Sequence, residues 1–545
     1  MKDTIYTIPE GRRDYIFEDA SLKRKICNKL TSIFESAGYG EIMTPAAEFS
    51  RVFGDVNEEY VPETDICHFT DSKNRLMALR CDCTVPIARV AATKTNGIEP
   101  PYRFFYCQNI ITSTSVQGSL AETTQCGVEL IGTQSSLNAD IEILELSAKS
   151  MKELFGLDFN IEIGHGKLYT TLAKAYNIDK ETSEKVRKLI ETKNFAALES
   201  LDLPEPLRLL PKMFGRADND KDIALLDSFA EKTKSKEIKE ITDYIKTLIS
   251  ELRKRGYGSC LSFDLGLVGR LDYYTGIIFG GFVRGLGHAV LSGGRYDNLT
   301  ARFGREMAAT GFGINADDVF DLMKSEKTEA KAPDAPLRIA LTKGRLEEKT
   351  IALMEQNGVD CTTLRNKGRK LLFPLCDGKI EIMLVKPFDV ITYVEHGVCD
   401  LGVVGLDTIS EHGTSLYEIA DLGFGKCHMM LAANKEYKDN PEKFFDGYSK
   451  KIIATKFVNT ARRYIESKGI DADIIKIEGS VELAPILKLA DGIVDIVETG
   501  TTLRENGLEV VEKIFPVSAR IVANIAAMKL RKNDIDKIIT EVFGQ

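Results

Sequence analysis

No run of apolar residues in this sequence is long enough to span a bilayer, so a helical membrane protein is excluded. The stretch Met1-Lys-Asp-Thr-Ile-Tyr-Thr-Ile-Pro9 lacks the apolar core of a signal peptide, and a cytoplasmic location with no membrane partner is expected. Cysteines at metal-ligand spacing are missing too. The 11 present are scattered and odd in number, as reduced thiols of a cytosolic protein would be. Cys81-Asp-Cys83 comes nearest to a metal pair, but no second Cys/His pair stands at ligand spacing, so a packing role is expected. Excess positive charge is also absent. With 72 Lys and Arg against 81 Asp and Glu, the net −9 argues against broad nucleic-acid binding.

What is present points to two modules. A chain of 545 residues holds more than one domain, each with its own core. Residues 324–336 have many charges, two prolines (Pro333, Pro336) and no apolar periodicity, and read as a linker. A fresh strand follows at Leu337-Arg-Ile-Ala-Leu341. The division is therefore 1–323, a linker over 324–336, and 337–545.

The most informative stretch lies near the end. Ile493-Val-Asp-Ile-Val497 reads as a buried strand, Glu498-Thr-Gly-Thr-Thr502 as a turn, and the next residues as a short helix stopped by Asn506-Gly507. Free N–H groups, hydroxyls and a helix start make an anion cradle, in which Gly500 lets the backbone approach a phosphate. An N-capped turn without a ligand is the plainer alternative.

The surroundings decide between them. Leu341-Thr-Lys-Gly-Arg-Leu346, Cys399-Asp-Leu-Gly-Val-Val-Gly-Leu-Asp407, Gly479-Ser-Val-Glu-Leu-Ala-Pro485 and Ser518-Ala-Arg-Ile-Val-Ala-Asn524 accompany the turn in order. Together they resemble the short-form catalytic subunit of ATP phosphoribosyltransferase, the enzyme opening histidine biosynthesis. The resemblance implies a two-lobed α/β fold of periplasmic-binding-protein type, with a second lobe at about 430–504. ATP N1 would displace pyrophosphate from C1 of phosphoribosyl pyrophosphate, with Mg²⁺ as cofactor. It places Arg345, Arg369, Asp495 and Asp491 as catalytic residues. Lys343, Glu482, Glu498, Thr499, Gly500, Thr501, Thr502 and Leu503 would bind the two substrates. Lys386 stands where the family commonly has arginine, which keeps the charge and loses the planar fork.

The first module carries Leu79-Arg-Cys-Asp-Cys-Thr-Val-Pro86, Glu122-Thr-Thr-Gln-Cys-Gly-Val-Glu-Leu-Ile-Gly132, Leu267-Val-Gly-Arg-Leu-Asp-Tyr-Tyr-Thr-Gly276 and Gly293-Gly-Arg-Tyr-Asp297. These motifs resemble the histidyl-tRNA synthetase core, a class II antiparallel sheet flanked by helices. Gly311-Phe-Gly-Ile314 is expected to open its last helix, and 177–256 to be an insertion of amphipathic helices. Residues Asp82, Gln125, Glu129, Arg270, Tyr273 and Tyr274 match the family's histidine-binding positions. The family's ATP-binding arginines have no counterpart in 109–120 or in Asn315-Ala-Asp-Asp318, and no anticodon domain follows, so no tRNA aminoacylation is expected. A core that keeps the histidine pocket without adenylation resembles the regulatory subunit of the short-form transferase. The fusion would be feedback-inhibited by L-histidine and would form a homo-oligomer, since both families form dimers. A solute-binding module and an active synthetase are the competing readings.

Overall fold

The computed structural model describes the whole chain except residues 1–5, 56–57, 60, 114–119, 157, 192–193, 195–196, 199–200, 269–272, 327–334, 414–415, 438–440, 446–449 and 545. Two compact units emerge, Met1–Glu191 with Ala197–Lys331, and Ala332–Gln545 with Thr192–Ala196. Most of the expected linker lies outside the described residues. Its first residues are helical, because the helix Ala316–Glu326 runs past Lys324, whose Nζ donates to Asp19 Oδ2 at 2.6 Å.

A nine-stranded sheet organises the first unit. Its centre is antiparallel: Tyr102–Ile111, Glu122–Ile131, Ala309–Asn315, Leu291–Arg295, Ile277–Val283 and Phe159–His165 lie side by side in that order. Both margins break the pattern, since Gly40–Glu41 and Leu261–Asp264 join in parallel. The sheet is therefore mixed, not purely antiparallel. Helix Phe17–Ser36 covers one face by burying Ile26, Leu30, Ile33 and Phe34, an apolar stripe at helical spacing. Helix Ser136–Phe155 starts where Ser135 Oγ accepts from Asn138 N at 3.4 Å and stops at Gly156, with φ 67°.

Two expectations need correction here. Residues Gly311 to Ile314 lie inside strand Ala309–Asn315, and the helix begins only at Ala316. The reason is room: a Cβ on Gly311 would stand 1.9 Å from Glu129 Oε2, so this strand must be bare to pass Glu129. The 177–256 region holds four described helices, Lys180–Glu191, Glu205–Leu209, Asp220–Thr233 and Lys236–Lys254, but also the strand Phe214–Arg216. That strand pairs with Leu261–Asp264 and extends the main sheet. Three residues are too few to show a strand's alternation.

The Arg295 guanidinium joins the sheet to helix Ser136–Phe155. Its Nη2 donates to Asp140 Oδ1 at 2.7 Å and to the Ser136 carbonyl at 3.0 Å, while Tyr244 donates to Asp140 Oδ2 at 2.7 Å. Both partners are buried. Asp140→Ala leaves that cation without its main partner, and the expected loss is about 3–5 kcal/mol of stability for the first unit. Urea unfolding measures it, and a loss below about 1 kcal/mol, the range of an exposed pair, contradicts the assignment.

The second unit has two sheets. A six-stranded one runs Leu372–Leu375, Ile380–Val385, Leu337–Thr342, Leu401–Gly405, Ala519–Asn524 and Leu416–Asp421. A five-stranded one runs Ala472–Lys476, Lys451–Thr455, Gly492–Val497, Cys427–Asn434 and Leu508–Val517. The chain leaves the first sheet after Asp421 and returns at Ala519, so the second sheet reaches beyond 430–504 at both ends. Buried parallel strands explain the apolar run in Leu337–Thr342, which pairs on both sides.

Candidate functional site

Strand Gly492–Val497 is interior to the five-stranded sheet, parallel to Lys451–Thr455 and antiparallel to Cys427–Asn434. Ile493 and Val494 are fully buried, and Thr455 Oγ1 donates to the Val494 carbonyl at 2.6 Å. Val497 at the strand's end is still buried, and the chain reaches the surface at Glu498 and Thr499, both exposed. Gly500 turns the backbone with φ 72°, and the helix Thr501–Glu505 follows. Five residues make a weak dipole, so the cradle depends on local donors rather than on the helix as a whole. Thr499 and Thr501 hydroxyls lie 3.1 Å apart, and Arg504 Nη2 donates to the Thr499 carbonyl at 3.1 Å.

Arg345, first residue of the helix Arg345–Gln356, donates from Nη1 to Glu498 Oε2 at 2.6 Å. It thus reaches from beside the six-stranded sheet to the turn on the five-stranded one. Between them opens a cavity of about 490 Å³, lined among others by Arg345, Asp407, Glu482, Asp495, Glu498 and the residues of the turn. That volume suits a small phosphorylated ligand. Burial pushes the Asp495 carboxyl up to about 6; the Ile496 N–H pulls it back, while Glu482 and Asp407 push it further. Asp407 is also raised by burial. Sequence reasoning passed over Asp407 and Lys349. The only signal was Asp407 at the end of the strand motif Cys399 to Asp407, since contact with Asp495 depends on the fold.

Thr499, Gly500, Thr502 and Leu503 line this cavity, and Thr501 stands beside it. Lys343 and Arg369 do not. They border a second depression of about 660 Å³ with Gly344, Arg365, Lys367 and Lys370. Lys367 is paired with Glu347 at 2.5 Å and Arg365 with Glu355 at 2.8 Å. Asp491 belongs to neither; it is exposed, and its Oδ2 accepts from Ile452 N at 2.8 Å. Gly500→Val should force a branched side chain into a positive-φ turn and raise the apparent KM for the phosphorylated substrate. Steady-state kinetics checks it, and an unchanged KM contradicts the cradle.

In the first unit, buried Glu129 lies on strand Glu122–Ile131, where Thr84 Oγ1 donates to Oε1 at 2.7 Å and the Tyr296 hydroxyl donates to Oε2. Burial pushes its carboxyl up to about 8, against the pull of those two hydroxyls. Tyr106 donates to Gln125 Oε1 at 3.1 Å, which leaves that oxygen one lone pair. Asp82 lies two residues before helix Thr84–Lys94 and accepts from Val85 N at 2.8 Å, and burial raises it to about 6. The rings of Tyr273 and Tyr274 meet at 4.8 Å, and Tyr273 packs edge-on against Tyr296 at 5.9 Å. Glu129, Tyr273, Tyr274, Gln125 and Asp82 thus share one polar, aromatic neighbourhood. Arg270 lies outside the described residues. Tyr106 and Tyr296 are neighbours that the motifs contained but did not single out.

Known proteins match the two units separately. A family model described as Histidyl-tRNA synthetase matches residues 11–319, and one described as ATP phosphoribosyltransferase matches 386–544. An ATP phosphoribosyltransferase of Clostridium kluyveri is 54% identical over 209 residues, 38% of this chain and 93% of that protein. One from Clostridium acetobutylicum is 53% identical over 206 residues, 38% of this chain and 94% of that protein. A crystal structure from Bacillus halodurans C, titled an ATP phosphoribosyltransferase regulatory subunit/histidyl-tRNA synthetase, superposes with a TM-score of 0.53. It is 26% identical and covers 70% of this chain and 93% of its own.

Proposed function

We propose how this chain works from the fact that it belongs to the histidyl-tRNA synthetase family over residues 11–319 and, in its second unit, to the ATP phosphoribosyltransferases. It catalyses the first step of histidine biosynthesis, joining ATP N1 to C1 of phosphoribosyl pyrophosphate as the bond from C1 to pyrophosphate breaks. The observation that carries this reading is the Thr499 to Thr502 turn facing Arg345 across a cavity with Asp495 inside it. We read the two sheets of the second unit as the lobes of a periplasmic-binding-protein-type fold.

The turn holds the 5′-phosphate through its backbone N–H groups and hydroxyls. Arg345 exchanges Glu498 for the leaving pyrophosphate. Asp495, helped by Asp407 and Glu482, offsets the positive charge that grows on the ribose as its bond to pyrophosphate loosens. Lys343 and Arg369, in the second depression, fit the ATP phosphates. Asp491, whose Oδ2 accepts from Ile452 N, lies outside both depressions, and we give it no step in this scheme. Asp407, Glu482 and Asp495 are the carboxylates that would hold a Mg²⁺ here, and the ion would supply neutralisation of the leaving group's charge. Rate then comes from positioning and electrostatics, with no protein nucleophile. Incubation of the protein with ATP, Mg²⁺ and phosphoribosyl pyrophosphate should yield an ultraviolet-absorbing adduct and pyrophosphate. Aminoacylation without transfer would reverse the reading. Against it, the helix after strand Ala309–Asn315 opens with Asp317 and Asp318, where the synthetases place a cation for ATP.

In the first unit we assign histidine to the pocket of Glu129, Gln125 and Asp82, with the ring against Tyr273 and Tyr274, and regulation of transfer follows. Glu129 must be ionised to accept from the ligand's ammonium. Its folded value of about 8 lies above the ordinary 4.5, so the stability it lends is full below 4.5 and lost as pH rises through 8. Deprotonation before binding is thus costly at neutral pH. Histidine affinity should rise from pH 6 to 8, by up to about tenfold per unit. Titration calorimetry with Glu129→Gln isolates the ligand's own proton, and parallel slopes in the two proteins contradict the assignment.

A further inference from the structure

Three thiols far apart in the sequence meet in the first unit. Cys107 and Cys126 are direct partners across strands Tyr102–Ile111 and Glu122–Ile131, with their Sγ atoms 3.3 Å apart. Cys27 joins them from helix Phe17–Ser36, and all three sulfurs lie within 4.8 Å of one another. A three-coordinate thiolate site with metal–sulfur bonds of about 2.3 Å holds its sulfurs about 4 Å apart, inside the observed spread. Sheet register fixes two of these ligands and the packed helix fixes the third, so little ordering remains to be done on binding. The ion-paired Lys23 and Asp317 act on Cys27 through space in opposite senses, so the cluster faces a neutral pair rather than an unbalanced charge. A disulfide would use two of the sulfurs and leave the third idle, whereas a soft cation uses all three.

We propose that Cys27, Cys107 and Cys126 form a binding site for a thiophilic d¹⁰ cation, Cu⁺ or Zn²⁺, with each thiol releasing its proton to solvent as the metal–sulfur bond forms. Cu⁺ would be satisfied by the three thiolates, while Zn²⁺ would add a fourth ligand from solvent. Strand alternation puts Cys126 on the opposite face from Gln125, so the site is separate from the histidine pocket. The inference stands whether or not that pocket binds histidine.

The reduced full-length protein, kept without oxygen, would be titrated with Zn²⁺ and, separately, with Cu⁺ against a competing chelator, and metal per chain measured after dialysis. One ion per chain of at least one metal is expected. Retention of Cu⁺ alone supports the three-coordinate form, and retention of Zn²⁺ the solvent-completed form. Cys27→Ser and Cys107→Ser should weaken binding by more than about a hundredfold, beyond the cost of losing a supporting group. Exposed Cys376→Ser should bind as the parent does. If Cys107→Ser does not fold, Cys27→Ser, at a half-buried helix position, decides. Parent-like affinity in Cys27→Ser overturns the proposal, as does failure of both metals to bind the unsubstituted protein.

Discussion

Arg345→Ala should leave the fold intact and cut turnover by about a hundredfold or more, the scale of an electrostatic contact strengthened in the transition state. Arg345 is 84% exposed on its side chain and its ion pair with Glu498 is a surface pair, so the substitution costs little stability. What it removes is the cation that faces the Thr499 to Thr502 turn from across the cavity. Arginine is suited to that place because its planar fork can leave a carboxylate and take pyrophosphate oxygens in the same geometry. Lysine at 345 should recover only part of the rate. Single-turnover measurement of adduct formation separates this loss from slow release of product. Near-normal turnover in Arg345→Ala would move the leaving group to the depression of Lys343 and Arg369.

Glu129→Ala should weaken inhibition by histidine by about thirtyfold or more, the lower edge of what loss of a buried, hydrogen-bonded charge partner costs. Uninhibited turnover should stay as it was, since Glu129 belongs to the other unit. The geometry gives the reason for so large an effect. Its carboxylate is fully buried and held by Thr84 and Tyr296, so no water can take its place once a ligand ammonium has been stripped of its own. Control from a separate unit also requires that histidine bind one global state better than the other, a coupling of about 1–3 kcal/mol. A covalent link between two units makes any encounter between them intramolecular and so raises their effective concentration. Dose–response curves for the two proteins measure the effect, and unchanged inhibition in Glu129→Ala would place the feedback site elsewhere.

Local features were the legible ones. The strand, turn and helix around Gly500 follow from an Ile/Val run, small polar residues and Asn506-Gly507, and the structure has them at Gly492–Val497 and Thr501–Glu505. The fresh strand after the linker was equally plain, because Leu337–Thr342 is buried along nearly its whole length. Features that depend on chain crossing were not legible. Lys343 and Arg345 are two positions apart, yet they border different cavities, because Gly344 turns the backbone with φ 100° between them. Asp407 enters the site only because one strand ends where another begins. Gly311 belongs to a strand rather than a helix start, and its missing side chain leaves the room that Glu129, distant in sequence, occupies. The same applies to Cys27, Cys107 and Cys126, whose intervals in the sequence resemble no metal motif although the fold brings their sulfurs together.

Adduct formation by the intact protein, measured across a histidine titration at several fixed concentrations of each substrate, decides whether transfer and its control by histidine reside in this one chain. Phosphoribosyl-ATP and pyrophosphate are expected in equal amounts, with inhibition by histidine that neither ATP nor phosphoribosyl pyrophosphate can outcompete. Absence of the adduct with and without histidine, or inhibition fully relieved by excess of either substrate, would contradict this expectation.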